Sequence, residues 1–324
     1  MTHFLIRRIF WAIFLFLVAT IITYLIFWVL PADPARLAAG KAATQADIDR
    51  VRHFLHLDKP IWWQYGYFFW HLVRHGSLGQ SFFNRESVRS IIARDAPVTA
   101  SLVFGGAVLW LTLSIPVGIL SALRPRSIMD RITMTFVLIG ISAHPVWIGL
   151  ILSYFVGYKL QLTPIAGYCN FFPGAPGAQC EGPIQWAYHM ILPWITFMIL
   201  FAALYVRLVR ANVMETMNED YVRTARAKGA SERRVMIQHV LRNSLLPVVT
   251  ILGMDLGLAL GGAIFTETVF NLPGLGAQVI NAYQNDDLPM ITGVVVFSTI
   301  CVIVFNFIVD VTYGFLDPRI RAGN

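Results

Sequence analysis

The stretch IFWAIFLFLVATIITYLIFWVL, residues 9–30, decides the fold class of this chain. Its 22 residues include no charged side chain. A bilayer core of about 30 Å needs roughly 20 apolar residues as a helix, because every backbone polar group must be satisfied within the segment. The stretch therefore predicts a transmembrane helix. Since it is longer than the ~7–15 residues of a signal-peptide core and no clear cleavage site follows it, we expect it to remain as an anchor.

Five more stretches of the same kind follow along the chain. They are residues 98–123, 132–158, 189–206, 244–266 and 288–309. The composition agrees, because 56% of the 324 residues are hydrophobic and only 13% are charged, whereas soluble domains carry about 25% charged residues. A pair of soluble domains, a disordered chain and a disulfide-stapled secreted protein all fit poorly. We predict an all-α integral membrane protein with six transmembrane helices.

The basic residues of the short loops predict the orientation of these helices. Arg7 and Arg8 precede the first span, residues 124–131 carry three arginines, and residues 207–245 carry eight Lys or Arg, whereas residues 267–287 carry none. Short cytoplasmic loops collect Lys and Arg. We therefore expect a plasma-membrane protein with both termini in the cytoplasm. The net charge of +7 is explained by these loops, so we expect membrane lipid and no nucleic acid as a partner.

Residues 31–95 are predicted to form a small extracytoplasmic element. Residues 42–57 have a helical pattern, and Thr44 with Asp47 forms a near capping box at its start. Residues 61–74 are dense in aromatic side chains. The simpler interpretation is an interfacial helix with its rings at the level of the lipid headgroups. The alternative is a docking surface for a protein partner.

Cysteine usage points to one candidate disulfide. Cys169 and Cys180 lie in residues 159–181, a loop predicted to face the oxidising outer side, where a disulfide can persist. The third cysteine, Cys301, lies inside the sixth span and is interpreted as a packing residue. Since no Cys/His set has the spacing of metal ligands, we predict no metal site.

The segment EDYVRTARAKGASERRVMIQHVLRNSLLP, residues 219–247, joins the fourth and fifth spans. The whole connection is longer than a simple connector needs, and long loops are usually functional. Asp220 is a candidate N-cap for a helix over residues 221–228, and Gly229 suits the left-handed position that ends a helix. Ser231 can cap a second helix leading into the fifth span.

The first of these two helices is rich in small residues. Thr224, Ala225 and Ala227 leave low relief on its surface. A short helix of this shape suits a cleft in another protein. An amphipathic helix lying on anionic lipid is the alternative, and the pattern alone supports both about equally.

These residues resemble a known family. DYVRTARAKG (220–229) and HVLRNSLLP (239–247) look like the signature cytoplasmic loop of permease subunits of ABC importers, most closely the dipeptide, oligopeptide and nickel permeases. ETVFNLPGLG (267–276), DPRIR (317–321) and GSLGQSF (76–82) continue the resemblance, which covers essentially the whole chain. Further matching positions are Asn306, Asp310 and Tyr313. One departure is Ser77, which stands where an Asp is usual.

The resemblance implies a type I ABC importer permease fold and the first, B-type member of two homologous permeases. It further implies two ATP-binding subunits or domains and an extracytoplasmic substrate-binding protein as partners. The helix at 221–229 would be the coupling helix that seats in a groove of an ATPase subunit. The implied ATPase-coupling residues are Asp220, Tyr221, Arg223, Thr224, Ala225, Arg226, Lys228 and Gly229.

The chain itself is expected to be non-catalytic and to hold no cofactor. It lacks the G-x-x-x-x-G-K-[ST] loop that cradles nucleotide phosphates. ATP and magnesium would therefore be bound by the partner ATPase subunits.

The predicted function is import of dipeptides or oligopeptides by alternating access. One alternative is a member of the same family that imports nickel or another small solute, and another is a proton-coupled transporter. Candidate residues of the translocation pathway are Asp255, His144 and Asn306. An acid within a span usually faces a bundle interior or a watery path, so Asp255 either contacts the amino terminus of a substrate or forms a structural pair with a neighbouring span. The sequence His144-Pro145 is interpreted as a kink rather than a proton relay.

The resulting domain organisation has four parts. Residues 1–30 form the N-terminus and first span, and residues 31–95 form the outer element. Residues 96–318 form a five-helix permease core that includes the coupling loop 207–245, and residues 319–324 form a cytoplasmic tail.

Overall fold

The computed structural model describes residues 2–30, 33–40, 42–172 and 180–316. Within these ranges the chain is helical and forms no β-strand beyond two isolated bridges. The DPRIR motif at 317–321 and the predicted tail lie outside the described residues. The all-α fold class is confirmed.

Fifteen α-helices follow one another along the described chain, and three of them run on into π-helical segments. The helices are α1 (Thr2–Tyr24, continued by Leu25–Val29), α2 (Pro34–Ala39), α3 (Gln45–Phe54), α4 (Ile61–His75), α5 (Val88–Leu123), α6 (Ile128–Ser142), α7 (Pro145–Leu152, continued by Ser153–Lys159), α8 (Pro183–Met217), α9 (Asp220–Ala227), α10 (Glu232–Arg234, continued by Val235–Leu241), α11 (Arg242–Ser244), α12 (Leu246–Ala259), α13 (Ile264–Val269), α14 (Leu275–Gln284) and α15 (Leu288–Leu316).

Five continuous helical stretches of the described chain are long and apolar enough to cross a membrane, and a sixth span results if α6 and α7 are counted as one. The five are Ile6–Val29, Val88–Leu123, Pro183–Met217, Glu232–Ala259 and Leu288–Thr312. All six predicted spans overlap these helices, although several helices extend well beyond the apolar segment and the predicted fifth span runs past the end of its helix. Length and composition thus agree with a multi-pass membrane protein.

The third span is broken rather than merely kinked. The axes of α6 and α7 differ by 103°, and Ala143 and His144 between them are extended, with ψ of 129° and 137°. Pro145 begins α7 because its missing N–H is tolerated at the first helical position, whereas it could not continue α6. The sequence correctly located the irregularity but underestimated its size.

The fifth span ends earlier than predicted. The helical run stops at Ala259, and α13 begins only at Ile264. Gly262 between them has φ of 133°, and a Cβ on it would lie 2.7 Å from the Cα of Gly276. The positive φ and the close backbone approach both require glycine, so the chain turns here instead of extending the helix to residue 266.

The chain divides into two compact units. The first comprises Met1–Ala100, Gly257–Ile264 and Pro273–Phe307. Its core includes the buried apolar side chains of Val88 and Met290. Further members of this core are Ile91, Ile92, Leu275, Ala282 and Val294.

The second unit comprises Ser101–Leu256, Phe265–Leu272 and Ile308–Asn324. In its interior Trp110 of α5 is fully buried and stacks on Phe201 of α8, with ring centroids 4.6 Å apart. Glycine brings these two helices close together, because a Cβ on Gly118 would lie only 2.8 Å from the Cβ of Val209. This close contact aligns the part of α8 that leads toward α9.

The predicted outer element contains two of the expected features. The capping box is confirmed, since Thr44 and Asp47 exchange both hydrogen bonds at the start of α3. The hydrogen bond from the Thr44 hydroxyl holds the pKa of Asp47 below its usual value. The aromatic helix α4 packs on α1, where Tyr24 donates to Gln64 at 3.1 Å. Trp62 on α4 is 80% exposed, so both interpretations of this helix remain open.

Candidate functional site

Helix α8 is much longer than a membrane crossing requires. At about 1.5 Å per residue, its 35 residues extend for about 52 Å, whereas a bilayer core is about 30 Å thick. The excess is roughly four turns. The helix ends at Met217, and α9 begins three residues later at Asp220. Helix α9 is therefore attached almost directly to a long, continuous helix.

The start of α9 differs from the prediction. Glu219 occupies the N-cap position and Asp220 is the first helical residue; no side-chain hydrogen bond caps the helix. The prediction of Asp220 as the capping residue was wrong. Its carboxylate lies 3.7 Å from Arg223 Nη1. Asp220 lies one residue further into the helix than predicted, and its negative charge is still in the first turn, where the helix dipole favours it.

The end of α9 agrees with the prediction. Lys228 is the C-cap residue, and Gly229 follows with φ of 81°. An L-residue with a Cβ is disfavoured in this conformation, whereas glycine adopts it freely. Helix α9 therefore ends at a sharp, defined turn.

Most of α9 is exposed. Val222 is fully buried, and it is the only buried residue of this described helix. Two polar contacts hold the helix to the segment that follows it: Asn243 Nδ2 donates to the hydroxyl of Tyr221 at 2.8 Å, and Arg226 binds both carboxylate oxygens of Glu232, at 2.9 and 3.2 Å. The remaining surface, including Arg223, Thr224 and Lys228, faces outward.

The segment after α9 leads directly into the fifth span. Ser231 is the N-cap residue of α10, as predicted, although its side chain makes no capping hydrogen bond. A π-helical segment, Val235–Leu241, continues it toward α12. A cleft of about 660 Å³ lies between α9 and this segment. Basic side chains on its walls are Lys228, Arg234 and His239.

The sequence analysis missed an ion pair between α6 and α8. Arg210 on α8 binds Asp130 on α6 through two parallel hydrogen bonds, Nε to Oδ1 at 2.7 Å and Nη2 to Oδ2 at 2.9 Å. The Asp130 carboxylate also accepts from the Ser121 hydroxyl and from the backbone N–H of Arg126. The sequence contained one hint, an acidic residue in the first turn of a mostly apolar helix.

Asp255 has a partner on a neighbouring helix. The hydroxyl of Tyr205 on α8 donates to Asp255 Oδ2 at 2.7 Å. Tyr205 is fully buried beside Trp110, with ring centroids 5.9 Å apart, whereas Asp255 is half-buried. The structure therefore contains the interhelical hydrogen bond that was one of the two interpretations of this acid.

The other two candidate pathway residues have different positions. His144 is exposed and acts as the N-cap of α7, where its Nδ1 accepts from the backbone N–H of Val146 at 3.4 Å. Asn306 is half-buried on α15 and belongs to the first unit, whereas His144 and Asp255 belong to the second. A role for each in the pathway remains a prediction.

The two cysteines of the predicted outer loop are close to each other and to a histidine. Cys169 and Cys180 are joined as a disulfide with Cα atoms 5.1 Å apart, and His189 Nδ1 lies 3.2 Å from the Cys169 sulfur. The sequence spacing did not indicate that His189 would lie beside the two cysteines. The three side chains include the donor types of a soft-metal site, but bridged sulfurs offer no thiolate to a metal. The geometry in the described part of the loop suits a disulfide.

Comparison with known proteins places the whole chain in one group. Residues 114–322 match the family "Binding-protein-dependent transport system inner membrane component", and residues 1–103 match the N-terminal region of the same kind of protein. The dipeptide transport system permease protein DppB of Escherichia coli (strain K12) is 36% identical over 99% of both chains. A protein of Brucella suis biovar 1 (strain 1330) whose name describes a peptide permease is 37% identical over 99% of this chain and 100% of that protein.

Components of this kind are multi-pass proteins of the bacterial inner membrane. They are generally non-catalytic and work in a complex with ATPases and a substrate-binding protein. The family matches together cover both halves of the chain, and the relatives align over its full length. This chain therefore belongs to the binding-protein-dependent transport family, among the peptide permeases of ABC importers.

Proposed function

We propose that this chain moves dipeptides or oligopeptides across the inner membrane by alternating access, and that partner ATPases drive it through α9. The observation that supports this proposal most directly is the position of α9. It is a short, largely exposed helix between the 35-residue α8 and the helical run Glu232–Ala259. A partner that displaces α9 would act on two candidate spans at once.

The ATPase-coupling residues are proposed to divide between two tasks. Tyr221 and Arg226 fasten α9 to the next segment through Asn243 and Glu232. The exposed residues form the surface offered to the ATPase. These are Asp220, Arg223, Thr224, Lys228 and Gly229, with Ala225 half-buried beside them.

The energy for transport would come from ATP, because the partner ATPases bind it better in one conformation than in the other. A ligand shifts an equilibrium only by binding one state better than the other. In this proposal ATP and magnesium bind the closed ATPase pair better than the open pair, and the seated α9 follows that closure. The chain has no phosphate-binding G-x-x-x-x-G-K-[ST] loop of its own.

The proposed complex contains this chain, a second homologous permease, two ATP-binding subunits or domains and an extracytoplasmic substrate-binding protein. In this arrangement α9 and both termini face the cytoplasm. The distribution of basic residues supports that orientation, since residues 207–245 are rich in Arg.

Peptides are the proposed substrates. The relatives whose names mention dipeptide or peptide transport align with this chain over 99% of its length. Within the chain, the half-buried Asp255 is the proposed pathway residue that meets the positive amino terminus of a peptide. His144 and Asn306 stay candidate pathway residues in this proposal.

Purification of the tagged chain from its native membrane in a mild detergent, followed by mass spectrometry, tests the proposed complex. We expect an ATPase and a second permease to copurify. Proteoliposomes that contain the recovered complex and the binding protein should then accumulate a labelled dipeptide only when ATP is present on the ATPase side. A homo-oligomer without an ATPase, or uptake that follows a proton gradient instead of ATP, would refute the proposal.

A further inference from the structure

We propose that the Asp130–Arg210 ion pair is a positioning contact that transmits movement of α9 into the membrane helices. This inference rests on the proposed coupling role of α9 and extends it to residues outside the coupling segment. Its basis is the convergence of four hydrogen bonds on one nearly inaccessible carboxylate, at the point where α5, α6 and α8 meet.

The geometry differs from that of an ordinary surface ion pair. Asp130 is 4% exposed, and both of its oxygens are occupied. Oδ1 accepts from Arg210 Nε and the Ser121 hydroxyl, while Oδ2 accepts from Arg210 Nη2 and the Arg126 backbone N–H. A bidentate arginine–carboxylate pair fixes direction as well as distance, because the guanidinium fork is planar and rigid.

The donors come from separate parts of the chain. Ser121 belongs to the last turn of α5, Arg126 to the loop before α6, and Arg210 to α8. One carboxylate therefore ties two helix ends and a loop to a third helix. The Asp130 hydrogen bonds are satisfied only while these segments keep their present register.

Arg210 is well placed to carry movement. It lies seven residues before the end of α8 at Met217, and the helix is continuous between them. On the N-terminal side of Arg210, α8 packs closely on α6, since a Cβ on Gly140 of α6 would lie 2.9 Å from the Cβ of Ala203. Close apolar contacts of this kind set the distance between helices, but they do little to prevent one helix from sliding along the axis of the other. The ion pair resists that sliding, so that α6 and the end of α5 move together with α8.

A pair of arginine variants on α8 tests this role. Arg210→Gln removes the bidentate contact, whereas Arg207→Gln removes an exposed arginine and the same charge from the same helix. Both are assembled with the partner subunits in proteoliposomes, and dipeptide uptake and ATP hydrolysis are measured together. We expect Arg210→Gln to reduce transport per ATP hydrolysed by about tenfold, which is within the usual range for coupling between sites. We expect Arg207→Gln to keep the wild-type ratio.

The ratio separates transmission from simple stabilisation. A merely structural role would lower the amount of assembled complex and would reduce uptake and hydrolysis in parallel. If Arg210→Gln does not assemble, Arg210→Lys and Ser121→Ala serve instead, because lysine keeps the charge without the fork and Ser121→Ala removes one of the four hydrogen bonds. A wild-type ratio in the assembled Arg210 variant, or an equal loss in Arg207→Gln, overturns the inference.

The same experiment distinguishes this inference from the proposed function. A wild-type complex that shows no peptide uptake with ATP contradicts the proposed function itself. A wild-type complex that transports, and that loses coupling when α9 is altered but not when Arg210 is altered, contradicts only the role of the ion pair.

Discussion

Replacement of Gly229 by tryptophan should lower peptide uptake about tenfold while leaving the amount of folded protein in the membrane nearly unchanged. Gly229 ends α9 with φ of 81°, and apart from its two chain neighbours no heavy atom of the described residues lies within 4 Å of the position that a Cβ would take. A Cβ therefore has room at this position, which lines the cleft between α9 and the segment after it. The internal cost of the substitution is the left-handed conformation, which is about 1–2 kcal/mol for a residue with a Cβ.

A cost of this size is small beside the ~5–15 kcal/mol stability of an ordinary folded domain. On the surface proposed to meet the ATPase, however, a large ring would have no room in a close-packed contact, and overpacking typically costs about 1–3 kcal/mol. An overpacking cost of this size predicts a loss of uptake of about tenfold, since 1.4 kcal/mol corresponds to a factor of ten. Gly229→Ala has the same backbone cost without the bulk and should lose much less.

Gly40 provides a matched control in the predicted outer element. It has φ of 93° and, among the residues that the structure describes, it resembles Gly229 in having no heavy atom other than those of its neighbours within 4 Å of its Cβ position. Gly40→Trp therefore imposes a similar backbone strain and the same added volume, away from α9. The assay is ATP-driven dipeptide uptake in proteoliposomes, with ATP hydrolysis measured in parallel. Uptake at the wild-type rate by Gly229→Trp, or an equal loss in Gly40→Trp, would refute the assignment of α9 as the coupling helix.

Three further predictions concern single contacts. Val222→Asp places an unpaired charge in the fully buried position beneath α9 and should release the helix and stop uptake, whereas Val222→Ile should not; retained uptake in the aspartate variant would contradict the packing described. In a Cys301→Ser background, which removes the one free thiol of the described residues, Cys169→Ser should leave the Cys180 thiol open to a maleimide label that the unreduced parent protein does not take up, and labelling of both proteins alike would show that no bridge forms. Thr44→Ala should raise amide exchange in the first turn of α3 about fivefold. Because Thr44 lowers the pKa of Asp47, the capping box stabilises α3 above the ordinary carboxyl pKa and loses that effect as the pH falls through the lowered value. The protection of these amides, measured relative to their intrinsic exchange rate at each pH, should therefore fall on acidification in the wild-type protein and change less in the variant.

Local features were predictable because neighbouring residues determine them. A run of about 20 apolar residues is sufficient for a span, and the capping box at Thr44 and the left-handed turn at Gly229 each depend on a few adjacent positions. The error at Asp220 was a shift of one residue, which is the usual uncertainty at helix ends. Hydropathy also located the third span, but it carries no information about direction and so could not reveal the 103° bend.

Contacts between distant residues were not predictable in the same way. Asp130 and Arg210 are 80 positions apart, and Tyr205 and Asp255 are 50 apart. A single sequence shows that each polar residue must find a partner when buried. It does not show which of several candidates on neighbouring helices will be that partner. These pairings depend on the packing of α8 against α5, α6 and α12, which no local pattern specifies.

Asp255 allows two interpretations that one pair of variants can separate. If its hydrogen bond to Tyr205 is only a structural tie between α8 and α12, then Asp255→Asn and Tyr205→Phe should have similar effects, because an amide forms a weaker bond and phenylalanine forms none. If Asp255 also meets the positive end of a peptide in the pathway, its charge matters independently of the bond. Asp255→Asn should then lower the maximal rate of dipeptide uptake several-fold, to the extent that about 1 kcal/mol of charge interaction is lost.

Tyr205→Phe keeps that charge and should retain most of the uptake, although the loss of a buried hydrogen bond should lower thermal stability by about 1–3 kcal/mol. Asp255→Asn should therefore show the larger loss of uptake at saturating loaded binding protein, and Tyr205→Phe should show the larger loss of stability in thermal unfolding. Equal losses of uptake in both would assign Asp255 to structure alone. The proton-coupled alternative has a different requirement, because a proton relay needs titratable groups that are linked to one another. In the described structure His144 accepts from a backbone N–H and contacts the ring of Phe265, and neither group titrates, which favours a charge that meets the substrate over a proton that is passed along.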